Sequence, residues 1–173
     1  MRLFVAINFS DATRKRLCRA AEALRTQGQG QFSPAENLHL TLAFLGETES
    51  VDAAVTALER LDFSAFSLQF AELGQFGTLH WAGIRENTAL RALQAQLIGH
   101  LKAAGFPLED RDFIPHVTLV RHFSPNPDFS PIPAEQILSE IEEPVREIAL
   151  MASQLCAKGS QYEVLAVKQL SAK

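Results

Sequence analysis

An α+β fold built from two similar halves is predicted by the order of elements along this chain and by a motif that occurs twice. Strand, helix, strand, helix and strand follow one another in residues 1–77, and the same order is predicted again in residues 78–173. The two copies of the motif stand on strands of matching rank in these repeats. We therefore expect one bilobal, pseudo-symmetric domain spanning residues 1–173, produced by internal duplication, with one repeat in each lobe.

The first repeat is predicted from apolar spacing and from capping residues. Its elements are a strand at 3–8, a helix after Ser10, a strand at 38–45, a helix after Ser50 and a strand at 66–76. Ser10 is a favourable N-cap, and Leu17 and Leu24 recur on one face of the helix that follows. Gly28 and Gly30 are expected to end that helix, because glycine disfavours helical backbone.

The second repeat shows the same signals. Its elements are a strand at 78–84, a helix capped by Thr88, a strand at 114–121, a short helix near 137–141, and strands near 147–155 and 162–167. Gly105 follows the long helix and is expected to adopt the left-handed conformation that ends many helices. The segment from Ser124 to Pro133 contains four prolines, which predicts an extended loop.

The composition is that of a folded, soluble protein. Hydrophobic residues make up 47% of the chain, and no stretch approaches the roughly 20 apolar residues that a membrane span needs. A net charge of −4 argues against a broad nucleic-acid-binding surface but allows a local basic patch. The only two cysteines, Cys18 and Cys156, are distant in sequence, and residues 1–8 do not resemble a signal peptide. We expect a cytoplasmic protein with no membrane partner, and the composition does not determine its oligomeric state.

The repeated motif is His-x-Thr-x, which occurs as His-Leu-Thr-Leu at 39–42 and as His-Val-Thr-Leu at 116–119. Successive side chains of a strand point to opposite faces, so the histidine and the threonine of each copy share one face. The other face of each strand is apolar and is expected to be buried. If the two repeats pack symmetrically, two imidazoles and two hydroxyls converge across a cleft, an arrangement that suits a phosphate.

Two opposed imidazoles can carry out both proton transfers of cyclic phosphate hydrolysis. One group must take a proton from the attacking water, and another must give a proton to the leaving ribose oxygen. Imidazole, with an ordinary pKa of about 6.5, serves either purpose near neutral pH. The hydroxyls of Thr41 and Thr118 can donate to the non-bridging phosphate oxygens. A lone His-x-Thr is usually an ordinary strand segment, but two equivalent copies favour catalysis by a scheme that requires no metal and no cofactor.

The segments that surround these motifs resemble a known family. They are Arg-Leu-Phe-Val-Ala-Ile at 2–7, Glu-Asn-Leu-His-Leu-Thr-Leu-Ala-Phe-Leu-Gly at 36–46, Phe-Ile-Pro-His-Val-Thr-Leu-Val-Arg at 113–121, and Ser-Gln-Leu at 153–155 followed by Gly159 and Tyr162. The chain resembles the RNA 2′,3′-cyclic phosphodiesterases, also called the 2′-5′ RNA ligase family, within the two-histidine phosphoesterases. This resemblance covers essentially the whole chain. It implies a bilobal fold in which two antiparallel sheets line a central cleft and the helices lie outside.

The resemblance also implies roles for the residues. By position, His39 is the proton donor and His116 the proton acceptor in hydrolysis of RNA 2′,3′-cyclic phosphate ends, such as those of tRNA fragments, to 2′-phosphates. Reversible 2′-5′ joining of RNA ends is a second implied reaction. Arg121 corresponds to a basic residue that follows the second motif in the family. Simple strand alternation turns Arg121 away from the face of His116, so only a strand end or a bulge lets it reach substrate.

The remaining candidate residues are expected to have ordinary structural roles. His80, His100 and His122 lack a partner motif and are expected to be ordinary surface or core side chains, and no His or Cys spacing predicts a zinc site. The first helix is basic, which favours a solvated face over a surface that steers RNA; its basic residues are Arg14, Lys15, Arg16, Arg19 and Arg25. Phenylalanines that could stack on a base are Phe32, Phe44, Phe76, Phe113 and Phe123.

Two alternatives to an RNA cyclic phosphodiesterase stay open. The first is a catalytically silent module that binds RNA ends or nucleotides, although binding alone does not need two titrating groups. The second is a cyclic phosphodiesterase for a small nucleotide, such as a cyclic phosphate of ADP-ribose. Turnover separates the first alternative from an enzyme, and relative rates on an oligonucleotide and a mononucleotide separate the second.

Overall fold

The computed structural model describes residues 1–172, in which four helices and nine strands are formed. The helices are α1 (Asp11–Arg25), α2 (Val51–Glu59), α3 (Thr88–Ala103) and α4 (Ile132–Leu138). The strands are β1 (Arg2–Asn8), β2 (Gly28–Phe32), β3 (His39–Glu47), β4 (Phe66–Phe76), β5 (Leu79–Ile84), β6 (His116–Pro125), β7 (Glu142–Val145), β8 (Glu147–Cys156) and β9 (Gly159–Gln169). A short 3₁₀ turn, Ala35–Asn37, precedes β3.

The strands form two antiparallel sheets. The first sheet has the order β3-β1-β8-β9, and the second has the order β2-β6-β5-β4-β7. One face of each sheet packs with the helices in a shared hydrophobic core. This core includes Leu40 and Leu42 of β3 and Val117 and Leu119 of β6. The predicted α+β fold with two antiparallel sheets is confirmed.

Each sheet takes strands from both halves of the chain. β8 and β9 lie beside β1 in the first sheet, whereas β2 and β4 belong to the second sheet. The expectation of one repeat in each lobe is therefore wrong. The reason lies partly in the β4–β5 hairpin, where Gly77 has φ +58° and the tight turn holds β4 against β5. In the first sheet, β8 pairs with β1. The repeat boundary at residue 77 stays a prediction.

Helix α1 is fixed at its N-terminus by a buried carboxylate from β7. The Ser10 hydroxyl caps the helix by accepting from the backbone N–H of Thr13 at 3.3 Å, as the sequence predicts. The Glu143 carboxylate accepts hydrogen bonds from the Ser10 N–H at 2.6 Å, the Ser10 hydroxyl at 2.9 Å and the Thr13 hydroxyl at 3.3 Å. Only 2% of Glu143 is exposed, so this network ties α1 to the second sheet.

Several element boundaries differ from the prediction. Asn87, rather than Thr88, caps α3 by accepting from the Leu90 N–H, while Gly105 has the expected left-handed φ of +101°. α1 ends at Arg25, and the residues expected to terminate it begin strand β2. The proline-rich segment is an extended loop only in its middle, because β6 continues to Pro125 and α4 begins at Ile132. Within residues 1–172, no helix is long and apolar enough to span a membrane.

Candidate active site

The two motif histidines stand at the starts of equivalent strands and have the same ring orientation. His39 begins β3, and its Nδ1 lies 2.7 Å from the carbonyl oxygen of Asn37. His116 begins β6, and its Nδ1 lies 2.7 Å from the carbonyl oxygen of Ile114. A carbonyl oxygen can only accept, so each Nδ1 carries the proton that it donates. Both neutral rings are thereby fixed in the tautomer that leaves Nε2 unprotonated.

Each motif contains a β-bulge at its fourth residue. On β3, Thr41 pairs with Ala6 and Ala43 pairs with Val5, so Leu42 has no partner of its own. On β6, Thr118 pairs with Trp81 and Val120 pairs with His80, so Leu119 is the extra residue. In both strands the bulged residue and its successor are buried together. The bulge resets the alternation of faces.

The bulge returns the fifth residue after each histidine to the histidine's face. In the second motif this residue is Arg121, which is exposed and whose positive charge acts on His39. Unbroken alternation would turn Arg121 away, and the bulge at Leu119 is the condition under which the sequence allowed it to reach the face of His116. In the first motif the equivalent residue is Phe44, whose side chain is 72% exposed.

His39 is enclosed by aromatic rings on the face of the first sheet opposite to the core. Its ring centroid lies 5.0 Å from that of Phe4 and 5.1 Å from that of Tyr162, and its Nε2 lies 3.0 Å from the hydroxyl of Thr41. Burial lowers the pKa of His39 below its ordinary value, and the positive charges of His116 and Arg121 lower it further. The hydrogen bond to Asn37 opposes these effects.

His116 packs against a different pair of aromatic rings on the second sheet. Its ring centroid lies 5.2 Å from that of Phe76 and 5.6 Å from that of Trp81. The indole of Trp81 lies over Gly74, where a Cβ atom would overlap it. Glycine at position 74 thus leaves the space that the indole occupies beside His116, to whose ring it is tilted by 52°.

The two motif strands are also joined through the segment that leads into β3. The backbone N–H of Ser33 donates to the carbonyl of Leu119 at 2.9 Å, and its hydroxyl donates to the carbonyl of Thr118 at 3.1 Å. Thr118 itself is half-buried on the face of His116. His39 and Thr41 thus share a face of the first sheet, His116, Thr118 and Arg121 share a face of the second, and the charges of His116 and Arg121 act on His39. We call the space between their two faces the cleft.

The remaining candidates from the sequence lie elsewhere. His80 is buried on the opposite face of the second sheet against Phe123, and burial lowers its pKa. His100 lies on α3, and His122 is exposed with a left-handed φ of +53°. Of the five phenylalanines weighed for base stacking, those in the cleft are Phe44 and Phe76. The role of the basic face of α1 in steering RNA stays a prediction.

Sequence reasoning missed the aromatic rings that hold the two histidines. Phe4 faces the cleft by simple alternation along β1, because Leu3, Val5 and Ile7 face the core. Trp81 is the only tryptophan of the chain and pairs with Thr118. The face of Phe4 follows from alternation along β1, but its position beside His39 and that of Trp81 beside His116 follow from strand pairing.

Neither a described cavity nor a metal cluster coincides with this site. A cavity of about 800 Å³ lies between the start of α3 and the end of β9, and none of the five predicted site residues lines it. Among residues 1–172, no three His, Cys, Asp or Glu side chains are grouped so that they could hold a metal ion. The cleft is thus defined by the convergent side chains rather than by an enclosed volume.

A family model, curated relatives and solved structures all relate this chain to the same group of proteins. The family model of the 2′-5′ RNA ligase superfamily matches residues 13–156. An RNA 2′,3′-cyclic phosphodiesterase of Archaeoglobus fulgidus is 32% identical, over 96% of this chain and 99% of that protein. A protein of the same description from Thermus thermophilus is 33% identical, over 95% of this chain and 88% of its own length. The crystal structure of LigT from E. coli in the apo form superposes with a TM-score of 0.83 and 29% identity, covering 98% and 97% of the two chains.

Proposed function

Because this chain belongs to the 2′-5′ RNA ligase superfamily, we propose that it hydrolyses 2′,3′-cyclic phosphates at RNA ends to 2′-phosphates. The observation that carries the proposal is the matched tethering of the two imidazoles, each with Nδ1 2.7 Å from a carbonyl oxygen. This tethering leaves Nε2 of each ring for proton transfer. In the free protein Nε2 of His39 accepts the hydroxyl proton of Thr41, and protonation of the ring ends that bond and leaves the hydroxyl to donate to phosphate. The effect of His116 and Arg121 on the pKa of His39 supports the action of these groups on one anion.

The proposed reaction is an in-line displacement at phosphorus. Nε2 of His116 takes a proton from water as its oxygen bonds to phosphorus, and Nε2 of His39 gives a proton to the 3′ oxygen as the P–O3′ bond breaks. The products are a free 3′ hydroxyl and a 2′-phosphate. Each proton transfer contributes about 10²–10⁴ in rate when its group is well positioned.

The donor role of His39 depends on the substrate's own charge. In the free protein, burial and two neighbouring positive charges lower the pKa of His39, which favours its neutral form. A phosphate anion bound between the sheets raises the pKa of His39, because it stabilises the protonated imidazole. Protonated His39 then keeps its Nδ1–H on the Asn37 carbonyl and directs Nε2–H to the leaving oxygen.

The other three site residues would stabilise charge on the phosphate. The hydroxyls of Thr41 and Thr118 share a face with the two imidazoles and suit donation to the non-bridging oxygens. The guanidinium of Arg121 suits the same anion, since it is exposed on the cleft side of β6. None of these groups requires a metal ion, so we propose that the activity persists in the presence of a chelator.

Removal of either imidazole tests this proposal directly. We expect His39→Ala and His116→Ala each to lower kcat for an oligonucleotide 2′,3′-cyclic phosphate by about 10²–10⁴ in EDTA-containing buffer. His100→Ala is the matched control, because that histidine lies on α3 away from the cleft. Phosphorus NMR distinguishes a 2′-phosphate from a 3′-phosphate product. Near-normal turnover by both cleft variants would show that the acid/base scheme is wrong.

A sulfur-substituted substrate separates the donor from the acceptor. Sulfur at the 3′ bridging position leaves as a thiolate and needs little protonation. We therefore expect this substrate to restore most of the kcat lost in His39→Ala and little of that lost in His116→Ala. Rescue of the His116 variant instead would exchange the two roles without removing the two-histidine mechanism.

The same geometry also suits 2′-5′ joining of RNA ends. A 5′ hydroxyl then takes the place of water, loses its proton to His116 and bonds to phosphorus as the 3′ oxygen leaves. The roles of the other site residues stay the same. The reaction is reversible because the reactant, a cyclic phosphate, and the product, a 2′-5′ linkage, are both phosphodiesters. We expect joined product only when the 5′ hydroxyl end is supplied in excess, measured by gel electrophoresis of labelled RNA.

A further inference from the structure

Strand β2 lies at the edge of the second sheet, and its sequence alternates glycine with glutamine. The sequence is Gly-Gln-Gly-Gln-Phe at 28–32, and the strand pairs with β6. A Cβ atom at Gly28 would come within 2.8 Å of the ring of Phe123, and one at Gly30 within 2.6 Å of Val120. Phe123 and Val120 belong to the hydrophobic core. Glycine at these two positions therefore lets β2 lie close against the core, and both glutamines point to the opposite face.

The face opposite to the core is also the face of Arg121. Gln31 pairs with Arg121 across β2 and β6, and Gln29 pairs with Ser124. Directly opposed residues of an antiparallel pair have their side chains on the same face. Between these two pairs β6 has one residue more than β2, and the backbone of His122, with φ +53°, lies within this second bulge. We call Gln29, Gln31, Arg121 and Ser124 the polar strip.

The polar strip combines neutral hydrogen-bonding groups with one positive charge. All four of its side chains are exposed, and none of them is a carboxylate. A glutamine amide has both a donor and an acceptor, and a serine hydroxyl has both as well. Ribose hydroxyls and phosphate oxygens are bound by such groups together with arginine. The composition of the strip therefore fits the backbone of a nucleic acid better than a cation or a basic peptide.

The polar strip begins at the cleft and continues away from it along the edge of the sheet. Ser33, which follows β2, donates to the carbonyl of Thr118 at 3.1 Å, so this end of β2 adjoins the second motif. Gln31 comes next, and Gln29 lies two residues, or about 6.6 Å, farther from the motif. In the described part of the chain, β2 has no strand on its outer side. A bound chain can therefore leave the cleft across this edge.

We propose that Gln31 and Gln29 bind the ribose–phosphate backbone of the nucleotide that precedes the reacting end of an RNA. This inference rests on the proposed function and adds a substrate class: an RNA with at least one phosphodiester before its cyclic phosphate. Arg121 acts on the reacting phosphate, and Gln31 lies one strand farther out, where the preceding nucleotide leaves the cleft. Contacts to the backbone carry no base information, so the strip binds every sequence alike.

Rates on a mononucleotide and on a dinucleotide test the polar strip. We expect the wild-type protein to have a higher kcat/KM for uridylyl-uridine 2′,3′-cyclic phosphate than for uridine 2′,3′-cyclic phosphate. Gln31→Ala and Gln29→Ala should each raise KM for the dinucleotide by about 3–10-fold, the effect of losing one hydrogen bond. KM for the mononucleotide should change less than twofold. Gln136→Ala is the matched control, since Gln136 is exposed on α4, and it should change neither KM.

An added charge distinguishes a binding role from a structural one. Gln31→Arg should lower KM for the dinucleotide, because a guanidinium at this position meets the phosphodiester. One added phosphate contact should also steepen the plot of log KM against log salt concentration by about 0.7. The same plot for the mononucleotide should change less. A glutamine that only supports the sheet would produce neither effect when it is replaced by arginine.

Three kinetic outcomes would overturn the polar strip without affecting the proposed reaction. The first is an equal kcat/KM of the wild-type protein for the two substrates. The second is an equal rise in KM for both substrates in the glutamine variants, which would show that the glutamines only support the site. The third is loss of the dinucleotide's advantage when its first nucleotide is abasic, which would assign recognition to the base.

If the wild-type protein hydrolyses neither substrate, the proposed function fails and the polar strip is tested by binding alone. Fluorescence anisotropy of a 5′-labelled uridine dinucleotide that ends in a 2′-phosphate measures its affinity. The double variant Gln29→Ala/Gln31→Ala should bind this dinucleotide about 10–100-fold more weakly than the wild-type protein. Uridine 2′-phosphate should compete equally well in both proteins. Equal affinities of the two proteins for the dinucleotide would refute the strip.

Discussion

Gly74→Ala is expected to destabilise the protein and to disturb the site through Trp81. The indole lies over Gly74 and also approaches Gly83, while its other contacts are the rings of Phe76 and His116. A methyl group at position 74 would overlap the indole, so the ring must move. Because Trp81 is held by the ring of His116, its displacement changes the position of the proposed base.

The size of the effect follows from overpacking. Forcing one extra methyl group into a packed site costs typically about 1–3 kcal/mol. Alanine has no backbone penalty in a strand, because φ at Gly74 is not positive. Gly99→Ala provides the opposite case in the same protein: Gly99 lies within α3 and a Cβ atom there meets open space. That substitution should stabilise the protein by about 0.5–1 kcal/mol, the helix preference of alanine over glycine.

Chemical denaturation followed by the emission of the single tryptophan measures both variants. We expect Gly74→Ala to lower the free energy of unfolding, shift the emission of the native state, and lower kcat on a cyclic phosphate. Gly99→Ala should raise the free energy of unfolding and leave the emission and kcat as they are. If Gly74→Ala unfolds like the wild-type protein and emits at the same wavelength, the close packing of Trp81 against position 74 is not as described.

Two further predictions concern pH and the capping carboxylate. Since burial lowers the pKa of His39 in the free protein and a bound anion raises it, the high-pH limb of the kcat profile, which reports loss of the donor's proton, should lie at higher pH than that of kcat/KM. Coincident profiles would contradict this coupling. Glu143→Ala removes the acceptor of three hydrogen bonds at a site with 2% exposure, so it should lower the free energy of unfolding in urea by about 3–5 kcal/mol. A loss below 1 kcal/mol would mean that water replaces the carboxylate.

The strands and helices with strong apolar patterns were predictable, because their signal is local. Segment 66–76 was predicted with the bounds it has as β4, and the Ser10 cap was identified from residue type and position. β2 and β7 were missed for a common physical reason. Their sequences, Gly-Gln-Gly-Gln-Phe and Glu-Glu-Pro-Val, lack apolar alternation and form strands because β6 and β4 supply pairing partners.

The motif histidines and threonines were predictable for the same local reason, whereas the position of Arg121 was not. Alternation within one copy of the motif spans three residues and needs no knowledge of partners. A bulge, in contrast, exists only between two paired strands, and its position depends on the register of β6 against β5. The sequence therefore predicts which residues share a face up to Thr118, whereas the face of Arg121 depends on a bulge that the sequence names only as a condition.

The shared bulge explains how a symmetric scaffold can treat the two ends of one substrate differently. Because Leu42 and Leu119 are bulged alike, Phe44 and Arg121 occupy equivalent positions with opposite chemistry. The surroundings of the two imidazoles differ as well, since His39 lies between Phe4 and Tyr162 and His116 packs against Phe76 and Trp81. Burial lowers the pKa of His39. Two equivalent strands supply two tethered rings, and the different side chains around each ring distinguish the proposed donor from the proposed acceptor. On this reasoning, a double variant in which Phe44 and Arg121 are exchanged should bind nucleotide more weakly than the wild-type protein. The tethering of His39 and His116 should persist in this variant, because the backbone carbonyls that hold both rings are unchanged.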